Sequence, residues 1–321
     1  MMVEFDIAPK TELSFTTPSG REEHHIFERE DILAIEAALL SMRPLLLEGE
    51  TGVGKSQLAM AAAAGLKRPF YSKVVEAQTE AMDLRWTEDL IARLAQAQLV
   101  GALSGDMARS EAEKLDIRRF VRPGPLWWGF DWGSAARHVG DWLEEPPPVR
   151  SPDADPENGV VVLVDEIDKA ERELANGLLE ALGTRSFRPP KSDPVNMKHR
   201  PLIVVTTNKE QPLPAAFIRR CVVHTMRLPV DDDEFTAKLA ARGAAHFPDA
   251  PENVLDIAAR MTSEDRNEAK RRRLTPLPGQ AEYIDLLTAA LSPHGSGKYS
   301  PLESLELLRP YYLRKHSEIE Q

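Results

Sequence analysis

The chain has a single cysteine, no long apolar run and no excess of positive charge. Cys221 stands alone among 321 residues, which excludes an intrachain disulfide and a cysteine-rich zinc site. The longest apolar run, residues 58–66, is too short for a membrane-spanning helix, which takes about 20 residues. Acidic residues outnumber Lys and Arg by 51 to 40, so no overall positive field favours nucleic acid or an anionic membrane. With an acidic start unlike a signal peptide, we expect a cytoplasmic protein without a membrane partner.

The length and composition predict a globular protein of about two domains. A chain of 321 residues with 42% hydrophobic and 28% charged residues is typical of folded proteins, at roughly 150 residues per domain. The pattern predicts a tail or short edge strand over 1–24, an α/β domain over 25–229 and a helical domain over 230–321. Within the α/β domain, residues of about 120–159 are expected to form a tryptophan-rich insert and a proline-rich linker.

Three apolar runs indicate strands of one parallel sheet. Residues 45–47, 160–164 and 202–205 lack the alternation of half-exposed strands, as strands covered on both faces do. Helical patterns follow at about 234–246, 251–262 and 279–291, with no further strand-like run. The predicted fold is an α/β parallel sheet flanked by helices, with a small C-terminal helical domain.

Residues 49–56 fit the phosphate-loop pattern G-x-x-x-x-G-K-[ST], between an apolar strand and an alanine-rich helix, as that pattern requires. We expect backbone amides to surround the phosphates, Lys55 to neutralise the β- and γ-phosphates, and the Ser56 hydroxyl to ligate Mg²⁺. The predicted nucleotide contacts are Gly49, Glu50, Thr51, Gly52, Val53, Gly54, Lys55, Ser56 and Gln57. The alternative interpretation is a glycine turn with an incidental lysine.

Two acids directly follow the second apolar run. Asp165 is expected to hold Mg²⁺ through its water shell, and Glu166 to polarise the attacking water. Both would lie at the carboxyl edge of the sheet, where open α/β folds bind their ligands. The alternative interpretation is that the two acids cap a helix beginning near Lys169. The acid pair predicts hydrolysis of the bound nucleotide.

The third apolar run leads to Asn208, whose amide we expect to orient the water. Residues 208–211 resemble the Asn-Lys-x-Asp motif that reads guanine, but Gln211 lacks the carboxylate, so the sequence favours ATP over GTP. Arg219 and Arg220 follow, and a guanidinium at this point suits an arginine finger.

In this order the motifs resemble those of the AAA+ ATPases, and within them the MoxR family. The stretches that carry the resemblance are 48–56, 124–127 (Gly-Pro-Leu-Trp), 163–170 with 178–182, and 207–220, within about 30–230. Residues 83–84 and 92–98 also resemble a MoxR subgroup found beside bacterial defence components.

The resemblance implies a nucleotide-binding α/β domain, a helical lid and a homo-oligomeric ring, usually a hexamer. In such a ring Arg220 of one subunit reaches the ATP of its neighbour. The resemblance further implies a protein client or a von Willebrand factor A-type partner.

The lid departs from the family pattern. Residues 278–283 look like the helix start that family members precede with a basic sensor-2 residue, yet Pro276 and Leu277 stand there. The basic run 270–273 would supply that charge, form a solvated face or bind nucleic acid. The lack of interleaved aromatic residues disfavours nucleic acid.

We therefore expect Mg²⁺-dependent ATP hydrolysis that drives conformational work on another protein. A nucleic-acid-stimulated motor or loader and a slow nucleotide-dependent assembly switch remain as alternatives. Four of the five tryptophans lie within residues 127–142, and we expect them to pack a small core of the insert, with partner contact as the alternative.

Overall fold

The computed structural model describes residues 5, 7–17, 20–102, 115–143, 145–146, 148, 151–292 and 299–314. Parts of the expected tail, linker and C-terminal domain lie outside these residues. No helix within the described ranges is long and apolar enough to cross a membrane.

Eleven strands and eleven helices make up the described chain. The strands are β1 (Glu12–Thr16), β2 (Glu22–Ile26), β3 (Leu45–Glu48), β4 (Phe70–Val74), β5 (Trp86–Glu88), β6 (Val121–Pro123), β7 (Val161–Asp165), β8 (Ser186–Phe187), β9 (Val195–Asn196), β10 (Leu202–Thr207) and β11 (Val222–Thr225). The helices are α1 (Arg29–Ser41), α2 (Lys55–Gly65), α3 (Leu90–Ala102), α4 (Pro125–Phe130), α5 (Trp132–His138), α6 (Arg172–Thr184), α7 (Ala215–Ile218), α8 (Asp232–His246), α9 (Glu252–Arg272), α10 (Gln280–Ala290) and α11 (Pro301–Tyr312).

These elements form two compact units, each assembled from separated stretches of chain. The first, which we call the sheet unit, consists mainly of Glu30–Leu47 and Ala62–His224. The second, the loop–helix unit, combines Ala8–Arg29, Glu48–Ala61 and Thr225–Gln321. The consecutive boundaries at residues 25 and 230 stay predictions.

The sheet unit contains a five-stranded parallel sheet in the order β11-β3-β10-β7-β4. Strand β7 pairs with β10 and with β4, so that Val161 lies opposite Leu202 on one side and Phe70 on the other. The strands β3, β7 and β10 are buried along almost their whole length, which explains their unbroken apolar runs. The predicted α/β class is confirmed. Because the strands are parallel, the carboxyl ends of β3, β10 and β7 lie at one edge.

The tryptophan-rich segment packs on the sheet. Trp127 and Trp128 are each 2% exposed and belong to the same apolar cluster as Val162 and Val205. The Trp128 ring stacks on Tyr71 with the centroids 5.8 Å apart. The expectation of a separate small core is therefore wrong, because the aromatic residues of α4 cover apolar area of the main sheet instead.

The loop–helix unit contains a hairpin and the C-terminal helices. Strands β1 and β2 pair antiparallel with Glu12 opposite Ile26, which replaces the expected tail or single edge strand. Helices α8 to α11 bury an apolar cluster around Phe235, Tyr283 and Leu305. The three predicted helical patterns correspond to α8, α9 and α10. Helix α9 continues to Arg272 through a charged stretch, so apolar periodicity did not indicate its full length. Helix α11 was not predicted from periodicity, and it carries Pro310 in its interior.

Candidate functional site

The phosphate loop connects β3 to α2. Gly52 and Gly54 have φ angles of +78° and +101°, a left-handed backbone that favours glycine. A Cβ on Gly52 would lie 3.1 Å from the Cβ of Ala281, so the loop passes close to the start of α10. Helix α2 begins at Lys55, so the loop leads directly into a helix N-terminus, where the helix dipole favours a bound anion.

Lys55 is 7% exposed although it carries a positive charge. Its ammonium donates hydrogen bonds to the carbonyl oxygens of Gly49 and Glu50, at 2.8 and 2.9 Å. These two carbonyls hold the Lys55 ammonium against the phosphate loop.

Helix α8 contributes a buried arginine beside the loop that sequence reasoning missed. Arg242 is 5% exposed, and its Nη1 would lie 3.7 Å from a Cβ on Gly54. The same nitrogen contacts Oε1 of Gln57 at 3.5 Å. No local motif connects Arg242 to the phosphate loop, because the two are far apart in the sequence. The only indication in the sequence was an arginine on the apolar face of a predicted helix.

Helix α9 contributes a second buried arginine. Arg266, also 5% exposed, donates from Nη2 to Oε2 of Glu50 at 2.5 Å and from Nη1 to the carbonyl of Pro278 at 2.9 Å. One guanidinium thus joins the phosphate loop to the turn that precedes α10. Glu50, predicted as a nucleotide contact, is engaged by this arginine.

Helix α10, before which a basic sensor-2 residue was expected, begins with the polar, uncharged Gln280. Its side chain is 5% exposed, and its Nε2 would lie 3.8 Å from a Cβ on Gly54. Its Oε1 is buried without a hydrogen-bond partner among the described residues. In the basic run 270–273, Arg271 and Arg272 instead bond to Glu268 at the solvated end of α9. Positive charge beside the loop comes from α8 and from the middle of α9.

At the carboxyl ends of β7 and β10, four side chains form one hydrogen-bonded network. The Thr206 hydroxyl donates to Oδ1 of Asp165 at 2.5 Å and accepts from the backbone amide of Glu166 at 2.8 Å. The Asn208 amide donates to Oε1 of Glu166 at 3.1 Å. Three predicted site residues are thus brought together. Thr206 was missed because a threonine inside an apolar strand looks like part of the core.

Glu166 adopts a left-handed backbone with φ of +59°, which is uncommon for a residue with a side chain. Its Oε2 forms an ion pair with Lys169, and this contact raises the pKa of the Lys169 ammonium. Helix α6 begins only at Arg172, after the N-cap residue Glu171. Closer to Lys169, a 3₁₀ helix spans Ile167–Lys169 with Glu166 in its N-cap position, but the Glu166 side chain makes no capping hydrogen bond there.

The AAA domain profile of the dynein-related subfamily matches residues 44–221, more than half of the chain. The chain belongs to the AAA domain family. It is accordingly an ATPase with a nucleotide-binding α/β core. No curated protein sequence matches the chain.

Solved structures give weaker similarity to this AAA domain protein. A proline-to-glycine mutant of RuvB from Thermotoga maritima has 15% identity over 92% of this chain and 74% of that one, with a TM-score of 0.48. A candidate ATPase from Cytophaga hutchinsonii has 13% identity over 90% and 83%, with a TM-score of 0.40. The RuvB Holliday junction branch migration motor of T. maritima has 16% identity over 87% and 67%, with a TM-score of 0.42.

The two arginines after α7 lie on the surface of the AAA domain. Arg219 and Arg220 are exposed, and the guanidinium of neither forms a hydrogen bond or ion pair with the described residues. Beside them, Ile218 and Val223 are 36% and 43% exposed. Cys221 is buried, and burial raises the pKa of its thiol to about 12. Free guanidiniums beside exposed apolar side chains make this a candidate surface for contact with another subunit.

Proposed function

We propose that this AAA domain protein is a MoxR-type ATPase that hydrolyses ATP to ADP and phosphate in a hexameric ring and remodels a partner protein. The network of Asp165, Thr206, Glu166 and Asn208 is the observation that carries the proposal. It combines a metal-binding carboxylate, a candidate base and an amide at one sheet edge. Strand β3, which leads into the phosphate loop, belongs to the same parallel sheet as β7 and β10.

In this proposal the phosphate loop binds the nucleotide. The backbone amides of residues 52–55 and the helix N-terminus surround the phosphates, and the Lys55 ammonium neutralises them. Arg242 and Gln280 act as the lid residues nearest the loop, since both approach Gly54.

The hydrogen-bonded network of Asp165, Thr206, Glu166 and Asn208 carries out hydrolysis in this proposal. Glu166 accepts a proton from the attacking water, while Asn208 fixes the direction of the carboxylate through Oε1. Lys169 competes with that water for Oε2, so its ion pair restrains the base in the absence of substrate.

In this proposal the Ser56 hydroxyl and the Asp165 carboxylate bind Mg²⁺, an ion that prefers oxygen ligands of these types. Bound there, the ion would neutralise charge on the phosphates. Within the described part of the chain no three His, Cys, Asp or Glu side chains form a metal-holding group. That suits an ion that takes most of its ligands from phosphate and water.

Arg220 serves as the arginine finger for the neighbouring subunit, with Arg219 as the alternative. Its exposure and its lack of a partner within the described residues support a role between subunits. The client is a protein, and the MoxR resemblance favours a von Willebrand factor A-type partner. A single buried thiol suits work in the reducing cytoplasm.

Two substitutions test the division between binding and chemistry. Lys55→Ala should abolish tight binding of a fluorescent ATP analogue, because the phosphates lose the loop's cation. Glu166→Gln should bind the analogue normally and release no phosphate. Glu173→Gln on α6, an exposed glutamate, is the matched control and should behave as wild type.

Equal loss of binding in Lys55→Ala and Glu166→Gln would contradict the role of Glu166. The ATP-locked Glu166→Gln protein is also the bait for the client. Stimulation of wild-type ATP turnover by DNA or RNA would instead favour the alternative of a nucleic-acid motor or loader. Stable rings with very slow turnover would favour the alternative of a nucleotide-dependent assembly switch.

A further inference from the structure

A cleft of about 210 Å³ opens at the amino ends of β3 and β10. Pro44 and Pro201, which immediately precede these strands, lie in its wall. The ends of α1 and α6 form its sides. Because the strands are parallel, this cleft lies at the edge of the sheet opposite to Glu166 and the start of the phosphate loop.

The rim of the cleft is basic in a chain whose net charge is −11. None of the described residues that line it is acidic. The basic side chains of the rim are Arg43, Arg185, Lys198, His199 and Arg200.

Two of these side chains already have an acidic partner. The Lys198 ammonium pairs with Asp131 at 2.8 Å, and His199 Nε2 lies 3.3 Å from a Glu157 carboxylate oxygen. The guanidiniums of the three arginines are exposed and have no hydrogen bond or ion pair to any described residue. The rim therefore offers three unused bidentate donors.

Helix ends account for only part of this charge. Arg43 and Arg185 follow the C-termini of α1 and α6, where a cation is favoured by the helix dipole. Arg200 follows no helix and lies in the loop that leads into β10. A convergence of all three on one cleft needs a further reason.

The floor of the cleft is apolar. Leu39 of α1 and Met42, which directly follows that helix, line it together with Leu182, Met197 and Ile203. Met42 is 48% exposed. The volume is below the roughly 300–1,000 Å³ of pockets for drug-sized molecules, which suits one or two inserted side chains.

We infer that this cleft binds an acidic peptide segment of another protein, with an apolar side chain on the floor and carboxylates on Arg43, Arg185 and Arg200. Carboxylates match the planar guanidinium fork, and the floor adds burial that a free phosphate ion cannot use. The described residues that line the cleft include no Phe, Tyr or Trp on which a base could stack, so the chemistry of the cleft favours peptide over single-stranded nucleic acid. The inference does not depend on ATP hydrolysis.

The test is fluorescence polarisation without nucleotide, using a labelled peptide of repeated Glu-Glu-Leu triplets and the full chain. Peptides with Gln-Gln-Leu and Glu-Glu-Ser triplets separate the contributions of charge and floor, and both should bind more weakly. The double variant Arg185→Glu/Arg200→Glu should lose at least about tenfold in affinity. The double variant Arg137→Glu/Arg172→Glu changes exposed arginines outside the cleft by the same charge and should bind as wild type.

Three results would overturn the inference. The first is no binding of the Glu-Glu-Leu peptide by wild type, or equal loss in both double variants. The second is tighter, cleft-dependent binding of an oligothymidylate. The third is a change of oligomeric state caused only by the cleft variant, which would identify a second copy of the chain as the occupant.

Discussion

The sheet unit and the loop–helix unit each contain a polar cluster, and the two are built differently. In the sheet unit, Asp165, Glu166, Thr206 and Asn208 bond to one another through short hydrogen bonds from adjacent strand ends. In the loop–helix unit, buried arginines of α8 and α9 approach the phosphate loop across long stretches of chain. The first cluster is suited to chemistry on a water molecule, and the second to holding negative charge. Substitutions in the cluster of the sheet unit should therefore change the rate of ATP turnover. Substitutions in the cluster of the loop–helix unit should change the affinity for ATP.

The largest effect is expected for Arg220→Ala in the sheet unit. An arginine finger contributes roughly 10³ or more to turnover, so phosphate release should fall by about that factor while ATP affinity is unchanged. Arg220 has no partner among the described residues, so its removal should leave the fold intact. Arg137→Ala, an exposed arginine elsewhere in the unit, is the control.

Mixing two inactive variants tests whether Arg220 acts on the ATP of a neighbouring subunit. Subunits carrying Arg220→Ala and subunits carrying Glu166→Gln are each inactive, but some mixed interfaces pair an intact Glu166 with an intact Arg220. Activity should reappear after subunit exchange. Demonstrated exchange without recovery would assign the finger to Arg219 or place catalysis within one chain.

The next effect is expected in the loop–helix unit, where Arg242→Ala should weaken ATP binding by about tenfold or more. The side chain is buried beside Gly54, so its loss removes positive charge from the phosphate site. Arg242→Lys should recover part of the affinity, and Arg260→Ala on the exposed face of α9 should have no effect.

Isothermal titration with ATP and a denaturation midpoint for each variant separate binding from folding. Unchanged affinity in a folded Arg242→Ala protein, or a loss confined to turnover, would break the proposed division between the units.

A smaller change, a few-fold rise in basal turnover, is expected for Lys169→Met. The ion pair with Lys169 holds one carboxylate oxygen of Glu166, and its loss should free the base for water. Because the pair raises the pKa of Lys169, the ammonium stays charged at neutral pH and loses its charge as pH rises through that raised value. Phosphate release at pH 7.5, with exposed Lys191→Met as control, measures the effect. A fall in turnover would show that Lys169 holds Glu166 in its working position.

The smallest effect concerns stability, and lies in the loop–helix unit. Burial, then the charges of His24 and Arg242, lowers the pKa of His246 to about 4. An unfolded histidine titrates near 6.5, so the unfolded chain gains a proton first. Stability should be complete above about pH 6.5 and fall towards pH 4, by an amount of the order of 1 kcal/mol after solvent screening. Denaturant titrations at pH 7.5 and 5 should show a smaller drop in His246→Gln than in wild type; an equal drop would contradict this.

The parallel sheet and its carboxyl-edge residues were predictable because each motif residue directly follows a buried strand. Parallel strand ends meet at one edge, so Asp165, Glu166 and Asn208 needed no knowledge of distant contacts. The hairpin strands β1 and β2 carry charged and polar residues at positions where half-buried strands usually alternate apolar with polar residues. The sequence of the hairpin therefore resembled that of a polar tail. Arg242 and Arg266 could not be assigned to the phosphate loop, because only the packing of the helices determines which buried arginine meets it.

The burial of Cys221 has a practical consequence for observing this protein at work. With its pKa near 12, the native thiol is almost entirely protonated at neutral pH and reacts slowly with maleimides. It is also the chain's only cysteine. A single cysteine introduced on an exposed face, for example at Thr288, would be labelled selectively without first removing the native one. Dyes for single-molecule distance measurements can thus be attached to the otherwise wild-type sequence.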